Sequence, residues 1–149
     1  MPWLRERAAT QALRGAVRAA QAACPFEIVA AVVLPDHIHM IWTLPEGDAE
    51  YGKRWSLIKR FTGDALVGSP STNARRERHL WQRRFWEHRI RDEDDRDRHV
   101  DYIHYNPVRH GLVERAVDWP HSSIHRFIER GWVAPDWGCA PTASASFGE

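Results

Sequence analysis

The sequence predicts an α+β protein in which helices pack on one face of an antiparallel sheet. Its 149 residues are the length of one domain. Apolar residues recur at helical spacing in some stretches and form continuous strand-length runs in others. The predicted elements follow in the order helix, strand, strand, helix, strand, helix. We predict one domain over residues 1–138 and a disordered tail over residues 139–149.

The first part of the chain predicts a helix followed by a hairpin. Residues 4–23 are rich in Ala and Arg, and Pro25 ends this helix. Residues 26–34 form a continuous apolar run, which is typical of a buried strand. Pro35 and Asp36 then predict a tight turn, and residues 37–44 the return strand.

The middle of the chain predicts a second helix, a loop and a further strand. Residues 49–63 are amphipathic and place Arg54 at an exposed position, and Asp48 is a candidate N-cap for them. Residues 64–79 lose periodicity and are rich in Gly, Ser, Pro and Asn, which indicates a loop. Residues 80–90 mix aromatic side chains and arginines and predict a strand.

A third helix is predicted over residues 92–105. Its acidic first turn suits the helix dipole. Pro107 disfavours helical backbone at Asn106, and Gly111 is expected to end the short turn that follows. A last helix is predicted over residues 121–130.

Composition excludes several classes of protein. The sequence holds no run of 18 apolar residues, and its first residues lack the short apolar core of a secretory signal, so we expect neither membrane contact nor secretion. Cys24 and Cys139 are too few for a disulfide framework or a cysteine metal site. We therefore expect a cytoplasmic protein.

His37 and His39 are candidate metal ligands. Side chains at i and i+2 of a strand project to the same face, so two imidazoles there can share a divalent ion. A third ligand must come from elsewhere in the chain. Two solvated histidines on a polar strand face explain the same pattern, and a zinc hydrolase that adds Asp36 is a further alternative.

Tyr102 and Asn106 lie one helical turn apart on a stripe predicted to face away from the core, whereas Tyr105 lies on another flank. Free tyrosine is a poor nucleophile at neutral pH. A divalent cation would stabilise charge as such a phenol displaces a phosphate ester. The alternative is an amphipathic helix with surface tyrosines.

His121 and His125 form a weaker candidate metal pair, spaced at i and i+4. No glutamate lies between them, and no nearby cysteine completes a ligand set. Ser122 and Ser123 are more simply explained as caps of the last helix.

Basic residues predict a nucleic-acid partner. Residues 75–91 carry seven arginines and two glutamates, a net charge of +5, interleaved with aromatic residues. Arginines among aromatics are typical of surfaces that bind single strands, although a solvated strand edge would look similar. Residues 92–101 carry a net charge of −4, so the positive charge of residues 75–91 is not evident from the net charge of +1 of the whole chain. The candidate contacts with DNA are Arg54, Lys59, Arg83, Arg84, Arg89 and Arg109.

Several motifs in one order resemble the REP-associated tyrosine transposases, a branch of the HUH single-strand transposases. The resemblance covers roughly residues 17–138. The matching stretches are Leu34 to His39, Trp42 to Asp48, Arg54-Trp55 with Ile58-Lys59 and Phe61, Phe85 to Ile90, Tyr102 to Arg109, Gly111 to Val113, Trp119 to Ser123, Gly131-Trp132 and Asp136 to Gly138.

The resemblance implies a ferredoxin-like core and a metal-dependent DNA transposase. It implies that His37, His39 and Asn106 bind a divalent ion, Mg²⁺ or Mn²⁺. Tyr102 would attack single-stranded DNA and leave a 5′-phosphotyrosine and a free 3′-hydroxyl. The implied substrates are short palindromic repeats that fold into imperfect hairpins.

One departure from the family concerns the first strand. Family members usually begin with a strand before the first helix, whereas this sequence begins at or near that helix. Loss of a central strand would expose backbone groups on its neighbours unless other residues or a partner pair them. A truncated, non-cleaving hairpin-binding protein is therefore the alternative function, and the sequence leaves monomer and homodimer open.

Overall fold

The computed structural model describes Leu4, residues 7–66 and residues 87–139. These fall into two compact units. The first unit draws its described residues from Met1–Ile28, Pro35–His37 and Trp42–Arg89, and the second from Val29–Leu34, Ile38–Ile41 and Ile90–Glu149.

The described elements confirm the predicted α+β class. Two strands, β1 and β2, form an antiparallel hairpin, and helices α1 to α4 account for most of the remaining regular structure. The bounds are α1 Arg7–Ala23, β1 Glu27–Val33, β2 Ile38–Thr43, α2 Tyr51–Leu66, α3 Glu93–Arg109 and α4 Ile124–Glu129, with a 3₁₀ turn over Ala116–Asp118. Within the described ranges, no helix is long and apolar enough to cross a membrane.

In the first unit, α1 packs against α2. The buried face of α1 includes Leu13, Val17 and Ala20, as the predicted stripe requires. Beside the helices, the ring of Trp42 lies 4.6 Å from that of Phe26 and 4.8 Å from that of Trp55, centroid to centroid. The three rings pack at tilted angles, and Phe26 is buried among them.

Arg54 is buried, so the prediction that it lies at an exposed position is wrong. Its guanidinium donates to both carboxylate oxygens of Asp48, at 3.0 and 2.8 Å, and to the backbone oxygens of Pro25 and Glu50. The Arg54 guanidinium and the backbone N–H of Glu50 both donate to the Asp48 carboxylate, and they lower its pKa to about 2. Arg54 and Asp48 together close the loop before α2, and Asp48 lies two residues ahead of the position that caps the helix.

The core of the second unit joins the hairpin to α3. Its buried members are Ala30, Val32, Leu34, Ile41, Val100 and Ile103. Because α3 contributes one face of its cylinder to this cluster, the opposite face is left for solvent and for ligands.

Helix α3 continues through Pro107 to Arg109, so the prediction that it ends near residue 105 is wrong. A proline in the last turn removes a single backbone hydrogen bond, and Pro107 is itself buried. The end is closed by Gly111 at φ +71°. The N–H of Leu112 donates to the Pro107 oxygen and that of Gly111 to the Val108 oxygen, which is a Schellman motif.

Residues 121–123 pair with β1. The Val33 N–H donates to the His121 oxygen, the Ser123 N–H donates to the Ala31 oxygen, and Val32 and Ser122 form an antiparallel bridge. These bonds satisfy backbone groups of β1 that would otherwise lack partners in the sheet. They also explain why the last helix begins at Ile124 rather than at residue 121.

Several predictions fall outside the described residues. These are most of the loop over 64–79, the strand over 80–86 with Arg83 and Arg84, and the tail beyond Cys139. Residues 87–90 carry no regular secondary structure, and Ile90 packs against the core of the second unit.

Candidate active site

Tyr102 projects from the exposed face of α3, and 43% of it is accessible. Asp92 sets the start of this helix, because its carboxylate accepts from the Asp95 N–H at 2.8 Å. The neighbours Val100 and Ile103 are buried and orient the helix, which leaves Tyr102 on the other side. The phenol is therefore presented to solvent from a rigid element.

Two side chains of the second unit hold the Tyr102 ring. The imidazole of His39, on β2, meets it edge to face, with centroids 5.6 Å apart and planes at 82°. The guanidinium carbon of Arg109, two turns along α3, lies 5.6 Å from the ring centroid. The structure thus brings together three residues that the sequence analysis selected separately.

Asn106 lies one turn after Tyr102 and is fully buried. The prediction that Asn106 lies on a stripe facing away from the core is therefore wrong. Among the described residues, neither its Oδ1 nor its Nδ2 has a hydrogen-bond partner. Burying an unsatisfied amide costs about 1–3 kcal/mol, so such a group calls for a ligand or a functional explanation.

The donor types fit a divalent ion. The amide oxygen of Asn106 is a hard donor of the kind that Mg²⁺ and Mn²⁺ accept, and the imidazole of His39 suits the later transition metals and Mn²⁺. A bound cation would satisfy the orphaned Oδ1 of Asn106, whereas its Nδ2 is a donor and would need an acceptor.

His37 belongs to the first unit and lies just before β2. Its Nδ1 is 2.5 Å from a carboxylate oxygen of Asp36. A carboxylate on one ring nitrogen fixes the tautomer and the orientation of the imidazole.

Two of the remaining basic candidates lie in the first unit. Lys59 is half-buried on α2, and Arg89 is exposed in the first unit. Of the predicted DNA contacts within the described ranges, the structure places Arg109 beside the candidate nucleophile, whereas Arg54 is committed to Asp48.

Sequence analysis missed His104. It is buried, its Nε2 lies 2.8 Å from Ser123 Oγ, and its ring packs edge-on against Phe127. Burial, with the nearby Arg126 and His125, lowers its pKa to about 4. Position 104 falls on the same side of the helix as Val100, so helical spacing indicates that His104 is buried, but it does not indicate which residue His104 contacts.

Ser123 stands at the N-cap position of α4, as predicted, but its side chain makes no capping hydrogen bond. Its hydroxyl instead accepts from the Ala31 N–H at 2.9 Å and meets His104. Ser122 Oγ accepts from the Ile124 N–H at 3.2 Å. His125 Nε2 lies 2.7 Å from the Trp119 oxygen, a backbone contact that accounts for this ring without a metal.

The charge next to Tyr102 on α3 is mixed. Burial raises the pKa of Asp101, and the carboxylate of Asp97 one turn earlier adds to this effect. Arg109 lies on the other side of Tyr102 along the helix, so the phenol stands between an acidic and a basic stretch.

Comparison with known proteins identifies the family. A REP-associated tyrosine transposase from Escherichia coli K12 is 47% identical over 127 residues, covering 85% of this chain and 72% of that relative. A relative from Haemophilus influenzae is 47% identical over 122 residues, which are 78% of this chain and 69% of the relative. No family model matches the chain.

A solved structure gives the same result. The structure of a REP-associated tyrosine transposase bound to a REP hairpin is 44% identical and superposes with a TM-score of 0.77, covering 94% of this chain and 80% of that one. Fold and similarity define a DNA transposase. The chain belongs to the REP-associated tyrosine transposase family.

Proposed function

We propose that the protein nicks single-stranded DNA beside hairpin-forming palindromic repeats and transfers the strand through Tyr102. One observation carries the proposal: an exposed phenol held between His39 and Arg109, one turn from the orphaned amide of Asn106. The hairpin bound in the solved relative supports the choice of substrate.

The chemistry is a displacement at phosphorus. The Tyr102 oxygen forms a bond to the scissile phosphorus as its proton passes to solvent, and the bond from phosphorus to the 3′ oxygen breaks. The products are a 5′-phosphotyrosine and a strand that ends in a 3′-hydroxyl, which can attack the adduct in reverse and rejoin the strand. Arg109 supplies a positive charge to the phosphate oxygens and packs the ring, which limits the entropy lost on attack.

His39 and Asn106 would hold a divalent ion, Mg²⁺ or Mn²⁺, and His37 joins them in the proposal on its spacing in the sequence. When bound, the ion would polarise the scissile phosphate and stabilise the charge of the displacement. Asn106 is poised for this role because its amide is buried without a protein partner.

The proposed partner is a DNA hairpin with a single-stranded flank. Lys59, Arg83, Arg84 and Arg89 are proposed to contact its phosphates, together with Arg109. Arg54 is left out of this set because its guanidinium is buried against Asp48.

The test is formation of a covalent adduct. The full chain is incubated with Mn²⁺ and a labelled pool of single-stranded imperfect hairpins with randomised flanks, and a labelled protein band that survives denaturation is measured. We expect the band with the parent chain, its loss with Tyr102→Phe, and its loss on chelation of the metal.

Tyr105→Phe is the matched control, because Tyr105 lies on the same helix but packs half-buried against Trp137. It should form the adduct at close to the parent rate. An adduct that persists in Tyr102→Phe and disappears in Tyr105→Phe would overturn the assignment of the nucleophile. Hairpin binding with no adduct under either ion would instead support the non-cleaving alternative.

A further inference from the structure

Trp132 is the most exposed large hydrophobic side chain in the described ranges. Its accessibility is 61%, against 43% for Tyr102 and 37% for Tyr51. It follows α4 and lies in the second unit. The adduct chemistry of Tyr102 makes no use of this indole.

The indole is held in place although it is exposed. Gly131, at φ +74°, turns the chain after α4, and the Trp132 N–H donates to the Phe127 oxygen at 2.9 Å. The Trp132 ring stands at 84° to that of Phe127, with centroids 5.2 Å apart. Phe127 in turn packs on the core and against His104. A surface ring fixed in this way loses little entropy when a ligand binds.

A cation accompanies the ring. The guanidinium carbon of Arg130 lies 5.1 Å from the Trp132 ring centroid. The neighbouring Arg126 donates to the Val29 oxygen and is committed to the fold, whereas Arg130 is exposed and has no carboxylate partner within the described part of the chain. Arg130 is therefore available to a ligand that is both flat and negatively charged.

We propose that Trp132 and Arg130 bind one unpaired nucleotide of the hairpin's single-stranded flank. The base stacks on the indole and its phosphate pairs with the guanidinium, the combination by which proteins hold single strands. The inference rests on the proposed function, because that function supplies the DNA, but it assigns a contact outside the nicking site. A second copy of the chain seated on Trp132 is the competing occupant.

Binding is measured by fluorescence anisotropy in a Tyr102→Phe background, so that no adduct forms. The probes are a labelled DNA hairpin with a single-stranded thymidine flank on the 5′ or the 3′ side, and the same hairpin without a flank. Trp132→Ala should weaken binding of one flanked probe by about 10-fold and leave the blunt hairpin unchanged. Trp132→Phe should recover most of the loss, and Arg130→Gln should reduce the salt dependence of flanked-probe binding. Tyr51→Ala, which removes an exposed aromatic residue from the first unit, is the control and should bind all three probes as the background chain does.

The proposal is overturned if Trp132→Ala binds the flanked probes as tightly as the background chain does, or weakens on the blunt hairpin to the same extent. It is also overturned if light scattering shows a dimer that Trp132→Ala dissociates, or if no probe binds. The adduct assay separates the two ideas. An adduct with no effect of Trp132 rejects the flank contact alone, whereas a flank effect without an adduct rejects nicking alone.

Discussion

Asn106 combines two properties that single residues seldom share: complete burial and a side-chain amide that no described residue bonds. Stability alone does not favour this combination, because desolvating an amide without a partner is unfavourable. Residues of this kind concentrate where function requires a group that folding leaves unsatisfied. Asn106 is one helical turn from the proposed nucleophile.

Asn106→Ala should separate stability from activity. We expect the free energy of unfolding to stay within about 1 kcal/mol of the parent, because the lost packing is offset by removal of the unsatisfied amide. Adduct formation should fall by at least about 10-fold at fixed Mn²⁺. Denaturant unfolding and the labelled-adduct assay measure the two effects.

Thr62→Ala is the control for Asn106→Ala. Thr62 is also buried and polar, but its hydroxyl donates to the Ile58 oxygen at 2.7 Å. It should lose about 1 kcal/mol of stability and keep the parent rate of adduct formation. Equal effects of the two substitutions on both readouts would remove the case for Asn106 as a ligand.

Arg54 shows where sequence reasoning at single residues stops. Its helical position and its charge predicted an exposed DNA contact, yet it is one of the most buried side chains described. What decides its position is a partner six residues earlier, Asp48, together with the Pro25 oxygen. Hydrophobic periodicity carries no information on such a pair, because a buried charge is placed by its ligands rather than by its polarity.

At the scale of elements, α3 does the most for the site, since Tyr102, Asn106 and Arg109 all lie on it. Its start was predictable, because the acidic first turn and the capping Asp92 are local signals. Its end was not, because Pro107 argues against helix locally while tertiary packing keeps the last turn. Extending the helix by that turn is what places Arg109 over the Tyr102 ring.

Gly111→Ala should destabilise the end of α3. The added Cβ meets nothing within 4 Å, so the cost comes from the backbone, which Gly111 holds at φ +71°. A non-glycine residue in this region costs about 1–2 kcal/mol. Thermal unfolding measures the change.

Gly15→Ala is the control for Gly111→Ala, and it should change the stability in the opposite direction. Gly15 lies inside α1, and a Cβ there also meets nothing within 4 Å. Since glycine weakens a helix interior, Gly15→Ala should stabilise the protein by about 0.5–1 kcal/mol. If both alanines shift the unfolding temperature in the same direction, the backbone argument for Gly111 fails.

At the scale of the whole molecule, the α+β class, the order of the described elements and the family were predictable from sequence. Strand-length apolar runs, helical stripes and motifs in a fixed order are all local patterns. The pairing of residues 121–123 with β1 was not, because their sequence partners lie about ninety positions away. Because of contacts of that kind, the last helix begins at Ile124, and the Ser123 hydroxyl links β1 to α3 instead of capping the helix.

The contact between His104 and Ser123 lies at a group whose protonation makes the stability of the molecule depend on pH. His104 is buried on α3 against Ser123, which also holds β1 through the Ala31 N–H. Burial first, and then the positive charges of Arg126 and His125, lower the pKa of His104 from its ordinary 6.5 to about 4. The folded protein therefore keeps this imidazole neutral over a range in which the unfolded chain protonates it.

Stability should consequently fall as the pH is lowered from about 6.5 to about 4. Because the unfolded chain binds the extra proton, the free energy of unfolding decreases with acidity, by roughly 2–3 kcal/mol across this window.

His104→Gln removes the titrating group, so its stability should change less than that of the parent between these two pH values. The carboxylate of Asp48, whose pKa is about 2, loses its contribution only at lower pH and does not interfere. Denaturant unfolding at a series of pH values measures the slopes. Parallel pH profiles for the parent and His104→Gln would show that His104 is not the group that couples folding to protons.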